Sequence, residues 1–310
     1  MITVKHLSRH YGGFKAVDDV SFHIQRGEVV GLLGHNGAGK TTIMKIMTGF
    51  LEPTSGSVSI DGLDISSDTR AIQQRIGYLP ENCPVWPEMT VIDYLEYQAS
   101  LHNLPENEVT SAVARAIRRT ALKEKATQMI QTLSRGYRQR VGVAQAILHD
   151  PDIIILDEPT NGLDPTQINQ MRGLIQELAQ SATVIISTHI LQEVQAVCER
   201  VLIMHAGKMV VDSRIDELQA GHHLRLTLDN PNASAYLQQI EGVESVATCQ
   251  AAQSLACYSL ESAPDIAPAV AKAVAEAGDK LFSLQPEVRN LETIFAEVNE
   301  SADAAQQEAA

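Results

Sequence analysis

The sequence predicts an α/β protein: a largely parallel, helix-covered sheet with a helical insertion near 82–150, then a small α+β domain from about residue 221. Three observations carry this. Short apolar runs at Glu28–Leu33, Ile153–Leu156 and Thr183–Ser187 read as strands, the first buried on both faces, and helical stretches separate them. A glycine-rich turn joins the first of these strands to a helix. The charge then shifts: residues 221–310 hold 13 acidic and 4 basic side chains, net −9, whereas residues 1–220 carry −5 of the total −14.

In order, Met1–Leu7 alternates as a strand, as do Val20, Phe22 and Ile24. Lys40–Gly49 is helical, with Ile43, Met44, Ile46 and Met47 on its core side. Ser57–Gly62 is a hairpin arm ending in an Asp-Gly turn. Val91–Ile130 follows a helical pattern broken near Leu104 and Pro105, and a further helix starts at Pro165. A helix through Ile190–Cys198 and a strand pair over Arg200–Val211, turning at Ala206 and Gly207, close this part. Beyond it, Leu224–Leu228, Val243–Cys249, Leu255–Leu260 and Phe282–Leu284 are strand-like, and Ser234–Ile240 and Ile266–Ala277 helix-like. A short amphipathic helix at Leu291–Val298 and a flexible tail over 301–310 complete the accessory domain, 221–300, and the chain.

The chain has 310 residues, 44% of them apolar and 20% charged, which excludes disorder as the main state. Its charge, 24 − 38 = −14, has the wrong sign for a protein that coats nucleic acid, and no nucleic-acid partner is expected. Cys83, Cys198, Cys249 and Cys257 form neither a C-x-x-C pair nor a framework spacing, so they read as buried spectators in a reducing cytosol. The N-terminus lacks the pattern of a signal peptide, and no apolar run approaches the roughly 20 residues of a spanning helix. The chain is therefore expected not to cross a membrane by itself.

Gly34, His35, Asn36, Gly37, Ala38, Gly39, Lys40, Thr41 and Thr42 match G-x-x-x-x-G-K-[ST], between a predicted strand and a predicted helix. In that setting backbone N–H groups and the helix N-terminus point at phosphate oxygens. Lys40 would reach the β- and γ-phosphates, and the Thr41 hydroxyl would hold Mg²⁺. Asp157 and Glu158 follow a buried strand at the sheet edge where ligands bind. Alone, such a pair is a solvated or capping one; beside a phosphate loop, one carboxylate serves Mg²⁺ and the other a water nucleophile. His189 lies just past another strand end on the same edge. Tyr11, about 30 residues before Lys40, could stack on a base, though a strand-end tyrosine is commonly ordinary surface.

The ordered set resembles the ATP-binding cassette (ABC) transporter ATPases over about residues 1–220. Tyr11 falls at the family's adenine-stacking aromatic with Val17 nearby, Gly34–Thr42 at its Walker A loop, and Ile153–Asp157 at its Walker B strand. Leu133, Ser134, Arg135, Gly136 and Tyr137 resemble the signature, usually L-S-G-G-Q; Asn161–Asp164 resembles the D-loop and Gly77–Glu81 the Q-loop. The resemblance implies a RecA-like phosphate-loop core with an antiparallel β subdomain. It implies ATP and Mg²⁺ as cofactors, Glu158 as the catalytic glutamate and His189 as the switch histidine. Asp164 would be the D-loop aspartate, and Thr41, Asp157 and Glu81 the groups nearest the metal.

Two departures stand out. Arg135 and Tyr137 replace a glycine and the glutamine of the signature, while Ser134 and Gly136 remain to meet a γ-phosphate with a hydroxyl and a close backbone N–H. Glu81 stands where the family usually has glutamine. These variants, with Asn290–Phe295, resemble the branch serving drug, polysaccharide and gliding-motility-type exporters. The resemblance further implies a sandwich in which Ser134–Tyr137 face the ATP of a second ATPase subunit, a homodimer by preference. It also implies a separate integral-membrane permease resting on the helical region, and a peripheral location on the cytoplasmic face of the inner or plasma membrane. Two rivals are disfavoured. Translation factors of this superfamily carry two cassettes, and chromosome-type ATPases place long coiled coils between Walker A and the signature, where this chain has about 92 residues and no sustained heptads.

Overall fold

A computed structural model describes residues 1–219, 223–249, 255–262 and 265–287. They belong to two compact units, Met1–Ile215 and a second that begins at Asp216. The expected helix at Leu291–Val298, the Asn290–Phe295 resemblance and the tail lie outside the described residues.

The first unit runs β1 (Ile2–Tyr11), β2 (Phe14–Ile24), β3 (Val29–Leu33), α1 (Lys40–Met47), β4 (Ser55–Ile60), β5 (Leu63–Asp64), α2 (Thr69–Gln73) and β6 (Ile76–Leu79). Helices α3 (Val91–Leu101), α4 (Glu106–Arg119) and α5 (Arg135–Ala146) form the insertion. Then follow β7 (Ile153–Asp157), α6 (Pro165–Ala179), β8 (Thr183–Thr188), α7 (Leu191–Val197), β9 (Arg200–His205) and β10 (Lys208–Arg214), and α8 (Ile215–Gln219) begins at the boundary with the second unit. Two sheets result. One is antiparallel, in the order β2-β1-β4-β5. The other, in the order β10-β9-β3-β8-β7-β6, is parallel except for the edge hairpin β9–β10.

Burial explains the central strands. Every residue of β3, β7 and β8 is buried, because sheet neighbours flank them and other elements cover both faces. A core of Val4, Leu32, Met44, Ile155 and Leu202, among others, joins the antiparallel sheet, α1 and the parallel sheet. Helix starts follow local chemistry: Thr90 Oγ1 accepts from Asp93 N at 3.2 Å to open α3, and Asp164 closes a capping box with Gln167 ahead of Pro165 in α6. The helical pattern expected to reach Ile130 stops at Arg119. There the buried Thr120 hydroxyl donates to Ala116 O at 2.8 Å, and Ala121 takes φ +54°, which ends the helix.

The second unit contains β11 (His223–Leu228), α9 (Ser234–Leu237), β12 (Val243–Cys249), β13 (Ala256–Ser262), α10 (Ala267–Ala277) and β14 (Leu281–Glu287). Its sheet is antiparallel in the order β12-β13-β11-β14, the β-α-β-β-α-β arrangement. Leu224, Leu226, Tyr258, Leu260, Val270 and Val274 make a core of its own. The spectator reading fails for two cysteines. Cys249 and Cys257 lie directly opposite on β12 and β13, with Cα atoms 5.0 Å apart, and are disulfide-bonded. Register creates this pair, and sequence spacing did not reveal it. Cys83 and Cys198 are free, and burial pushes their thiols up to about 11 and about 12, leaving them unreactive.

One half-buried group gives the fold a pH dependence. His149, at the end of the insertion, stacks on His102 at 4.0 Å and has its Nε2 3.2 Å from Ile76 O. Burial, then the charge of His102, lowers its pKa to about 4. Between that value and 6.5 the unfolded chain binds the extra proton, so this contribution is complete above pH 6.5 and is lost as pH falls toward 4. Between pH 7 and 4.5, the parent should lose roughly 1–3 kcal/mol more stability than His149→Gln, measured by denaturant titration. Equal losses would remove His149 as the cause.

Candidate nucleotide site

The parallel sheet assembles the site. β3, β8 and β7 are neighbours, with Leu33 opposite Thr188 and Asp157 opposite Ser187. Their C-terminal ends therefore deliver Gly34, His189 and Glu158 to one edge. The loop after β3 turns at Gly39, φ +106°, where a Cβ would drive into the Ala16 carbonyl oxygen, so glycine is required for both conformation and space. Thr41 and Thr42 follow in the first turn of α1.

Lys40 is buried, and its Nζ donates to Gly34 O at 2.6 Å and His35 O at 3.2 Å. Burial lowers its pKa, while Glu158, Asp157 and Glu81 pull it back up. Its Nζ lies 3.8 Å from Glu158 Oε1. Both Glu158 oxygens lie 3.0 Å from His189 Nδ1, and Glu158 N donates to Ser187 O at 3.0 Å. Glu158 itself takes φ +50°, a conformation that costs a non-glycine residue about 1–3 kcal/mol and that collects at functional sites. Burial raises its pKa, opposed by the hydrogen bond and charge of His189 and by Lys40.

Asp157 is fully buried. Its Oδ1 accepts from Ser187 Oγ at 2.5 Å, and its Oδ2 has no hydrogen-bond partner. An orphaned buried carboxylate oxygen asks for a partner, and a carboxylate oxygen is a donor type that Mg²⁺ takes. No group of three or more metal-ligating side chains occurs among the described residues.

A cavity of about 350 Å³ runs past Tyr11, Phe14, Ala16, Asn36, Gly37, Gly39, Lys40, Thr41, Thr42, Glu81 and Glu158. Tyr11 is 48% exposed, with the Arg9 guanidinium carbon 4.7 Å from its ring centroid. Val17 is buried in the core behind the loop and does not line the cavity: an irregularity in β2 near Asp19, φ +53°, lets it share the core with Val20, and Phe14 and Ala16 supply that wall. Ala38 is buried within the loop itself and accepts from Gly207 N through its carbonyl.

The signature residues lie elsewhere in the same chain. Ser134 caps α5, accepting from Tyr137 N at 3.4 Å, and the Tyr137 ring lies beneath Lys125 Nζ at 5.4 Å. Gly136 is buried against α6: a Cβ there would sit 2.7 Å from Gln167 Cδ. The Arg135 guanidinium rests on Gly162 of the D-loop, and Asp164 Oδ1 accepts from Gln167 N at 2.9 Å. Signature and D-loop thus form one packed unit. A second cavity, lined by Asn82, Arg135, Arg138 and Asn161, also reaches Glu81. Two of the three residues that depart from the family pattern, Glu81 and Arg135, share its wall. Ser187, Gln167, Phe14 and Glu193 escaped sequence reasoning, because their partners are distant in the chain or because nothing in their local pattern marks them.

The fold and this site define a phosphate-loop nucleotide-binding protein. Residues 17–161 match the family of ABC transporters. The ABC transporter ATP-binding protein NatA of Bacillus subtilis is 38% identical over 70% of this chain and 91% of its own length. The linearmycin resistance ATP-binding protein LnrL of the same organism is 30% identical over 95% of this chain and 97% of its own. A dimeric bacterial ABC transporter cassette superposes with a TM-score of 0.64, at 25% identity, over 69% of this chain and 99% of that one. The chain belongs to the ABC transporter ATP-binding proteins, the ATP-hydrolysing subunits of such transporters. Among the described residues no helix is long and apolar enough to cross a membrane.

Proposed function

We propose that the chain hydrolyses ATP as its Mg²⁺ complex at the interface of two copies and thereby drives a separate permease, in the direction of export, from the cytoplasmic face of the membrane. The observation that carries this is the Glu158 carboxylate, held 3.0 Å from His189 Nδ1 and 3.8 Å from Lys40 Nζ at the edge of the phosphate loop. Gly34–Thr42 bind the phosphates, Tyr11 stacks on adenine, Glu158 orients or deprotonates the attacking water, and His189 meets the γ-phosphate. Thr41 and Asp157 hold Mg²⁺, which offsets phosphate charge. Ser134–Tyr137, away from the phosphate loop of their own chain, fit a role on the ATP of the facing subunit, with Asp164 beside them. The direction of transport rests on the exporter-type signature and on the likeness to a linearmycin resistance subunit along nearly the whole chain. The unit from Asp216 onward, which corresponds to the accessory domain at 221–300, takes no part in the chemistry.

An apolar groove of about 760 Å³ between the β6 edge and the helical insertion supports permease docking. It is lined by Phe50, Leu51, Tyr78, Pro80, Pro84 and His102, with Phe50 70% exposed. The test is steady-state hydrolysis by the full chain. Specific activity should rise with protein concentration and vanish when EDTA removes Mg²⁺. Activity independent of concentration down to a monomer overturns the shared site. Glu81, which faces the cavity holding Lys40, is proposed to approach the metal. If so, Glu81→Gln should narrow the difference in ATP affinity with and without Mg²⁺, since the cation offsets the added charge. An unchanged difference, measured by calorimetry, removes Glu81 from the metal site.

A further inference from the structure

We infer that Glu193 is a positioning residue for His189, acting through Thr188. The Thr188 side chain at the end of β8 is buried, and its hydroxyl is used twice. It donates to Glu193 Oε2 at 3.0 Å and accepts from Ile190 N at 3.1 Å. The two backbone positions that flank His189 are thereby tied to one buried carboxylate. The imidazole needs such a support: its side chain is 42% exposed, and among the described residues its Nδ1 meets one side chain, the Glu158 carboxylate. With a single side-chain partner, the aim of the ring depends on the backbone at 188–190.

Glu193 is itself held in place. It lies in the first turn of α7 and is 4% exposed, and the next residue, Val194, packs on β3 so closely that a Cβ on Gly31 would sit 2.7 Å from its Cγ1. A connected path therefore runs from the strand that carries the phosphate loop, through Val194 and Glu193, to Thr188 and His189. Glu193 Oε1 has no hydrogen-bond partner, and no cation pairs with the carboxylate among the described residues. Burying a carboxylate for one hydrogen bond is a poor way to stabilise a helix, and an apolar side chain would pack there at lower cost. What the carboxylate supplies that an apolar group does not is an acceptor aimed at Thr188.

The inference rests on the reading that His189 acts in hydrolysis, and one mutant cycle on the full chain separates the two. Glu193→Ala should lower kcat by about 10–100-fold with little change in KM or in ATP affinity by calorimetry, the loss expected from a small misplacement of a catalytic group. Glu193→Gln keeps an oxygen for the Thr188 hydroxyl and should restore most of the rate. In a His189→Ala background, Glu193→Ala should cost nothing more, because there is no imidazole left to misplace. If His189→Ala alone hydrolyses at the parent rate, the role of His189 fails. If His189→Ala is impaired and Glu193→Ala multiplies its loss, Glu193 is structural and the inference is overturned. An equal loss in Glu193→Gln overturns it as well. Thr188→Val, which removes the hydroxyl and leaves the carboxylate, carries the same cycle should Glu193→Ala not fold.

Discussion

Lys40→Ala should abolish ATP hydrolysis and weaken ATP binding by about 10–100-fold, the worth of a charge-assisted hydrogen bond to phosphate. The lysine is placed for this by its surroundings. Its Nζ donates to the loop carbonyls of Gly34 and His35, within the turn proposed to receive phosphate on its N–H groups. Three carboxylates, Glu158, Asp157 and Glu81, lie close enough to favour its charge against burial. Removing the ammonium leaves them unopposed beside a triphosphate, so both the ground state and the charge-rich transition state lose their counter-ion. Calorimetry with ATP and a phosphate-release assay measure the two effects. Thermal melting must accompany them, because removing one member of the buried pair with Glu158 also destabilises the fold. Hydrolysis near the parent rate by a folded Lys40→Ala chain takes Lys40 out of the site.

Glu158→Gln should bind ATP at least as well as the parent and hydrolyse it about 10²–10⁴-fold more slowly. The amide keeps the size of the carboxylate and a hydrogen bond to His189, and it takes one negative charge away from the γ-phosphate. It cannot take a proton from water. ATP that persists should hold two copies together, so size exclusion with ATP and Mg²⁺ should show a dimer for this variant and a mixed or monomeric population for the parent. The pH profile supplies a second reading. Burial raises the Glu158 pKa above its ordinary value of 4.5, so the carboxylate takes up a proton as pH falls through that raised value. The parent should therefore lose kcat/KM with an acidic limb above pH 4.5, a limb that Glu158→Gln lacks. Hydrolysis within a few-fold of the parent, or a monomer at high protein concentration, counts against the catalytic and sandwich roles respectively.

The phosphate loop was legible in the sequence because its geometry is local. Glycines set the turn, an apolar run sets the strand before it, and helix periodicity sets α1, all within about 20 consecutive residues. Asp157, Glu158 and His189 were legible to a lesser degree, as polar residues ending apolar runs. Pro165 announced the start of α6, whereas the capping box of Asp164 with Gln167 emerged only in the structure. Other features had no local signature. The Ser187 hydrogen bond to Asp157 joins residues 30 apart in sequence, and the Cys249–Cys257 pair follows from strand register. Val17 shows the opposite case: alternation with Val20, Phe22 and Ile24 would send it outward, and an irregularity at Asp19, φ +53°, turns it into the core.

The sequence by itself determined the parts: the glycine-rich turn proposed to cradle phosphate, the carboxylates and imidazole at strand ends, and a second, more acidic unit after them. Tertiary structure decided the assembly. Strand order β9-β3-β8-β7 is not chain order, and only that order brings Gly34, His189 and Glu158 to one edge. Packing likewise placed Gly136 against Gln167, and Glu193 beneath the residue that precedes His189. The physical reason is range. Backbone dihedrals and helix caps are fixed by neighbours in the chain, whereas strand pairing and burial are settled by apolar surface that meets across the fold.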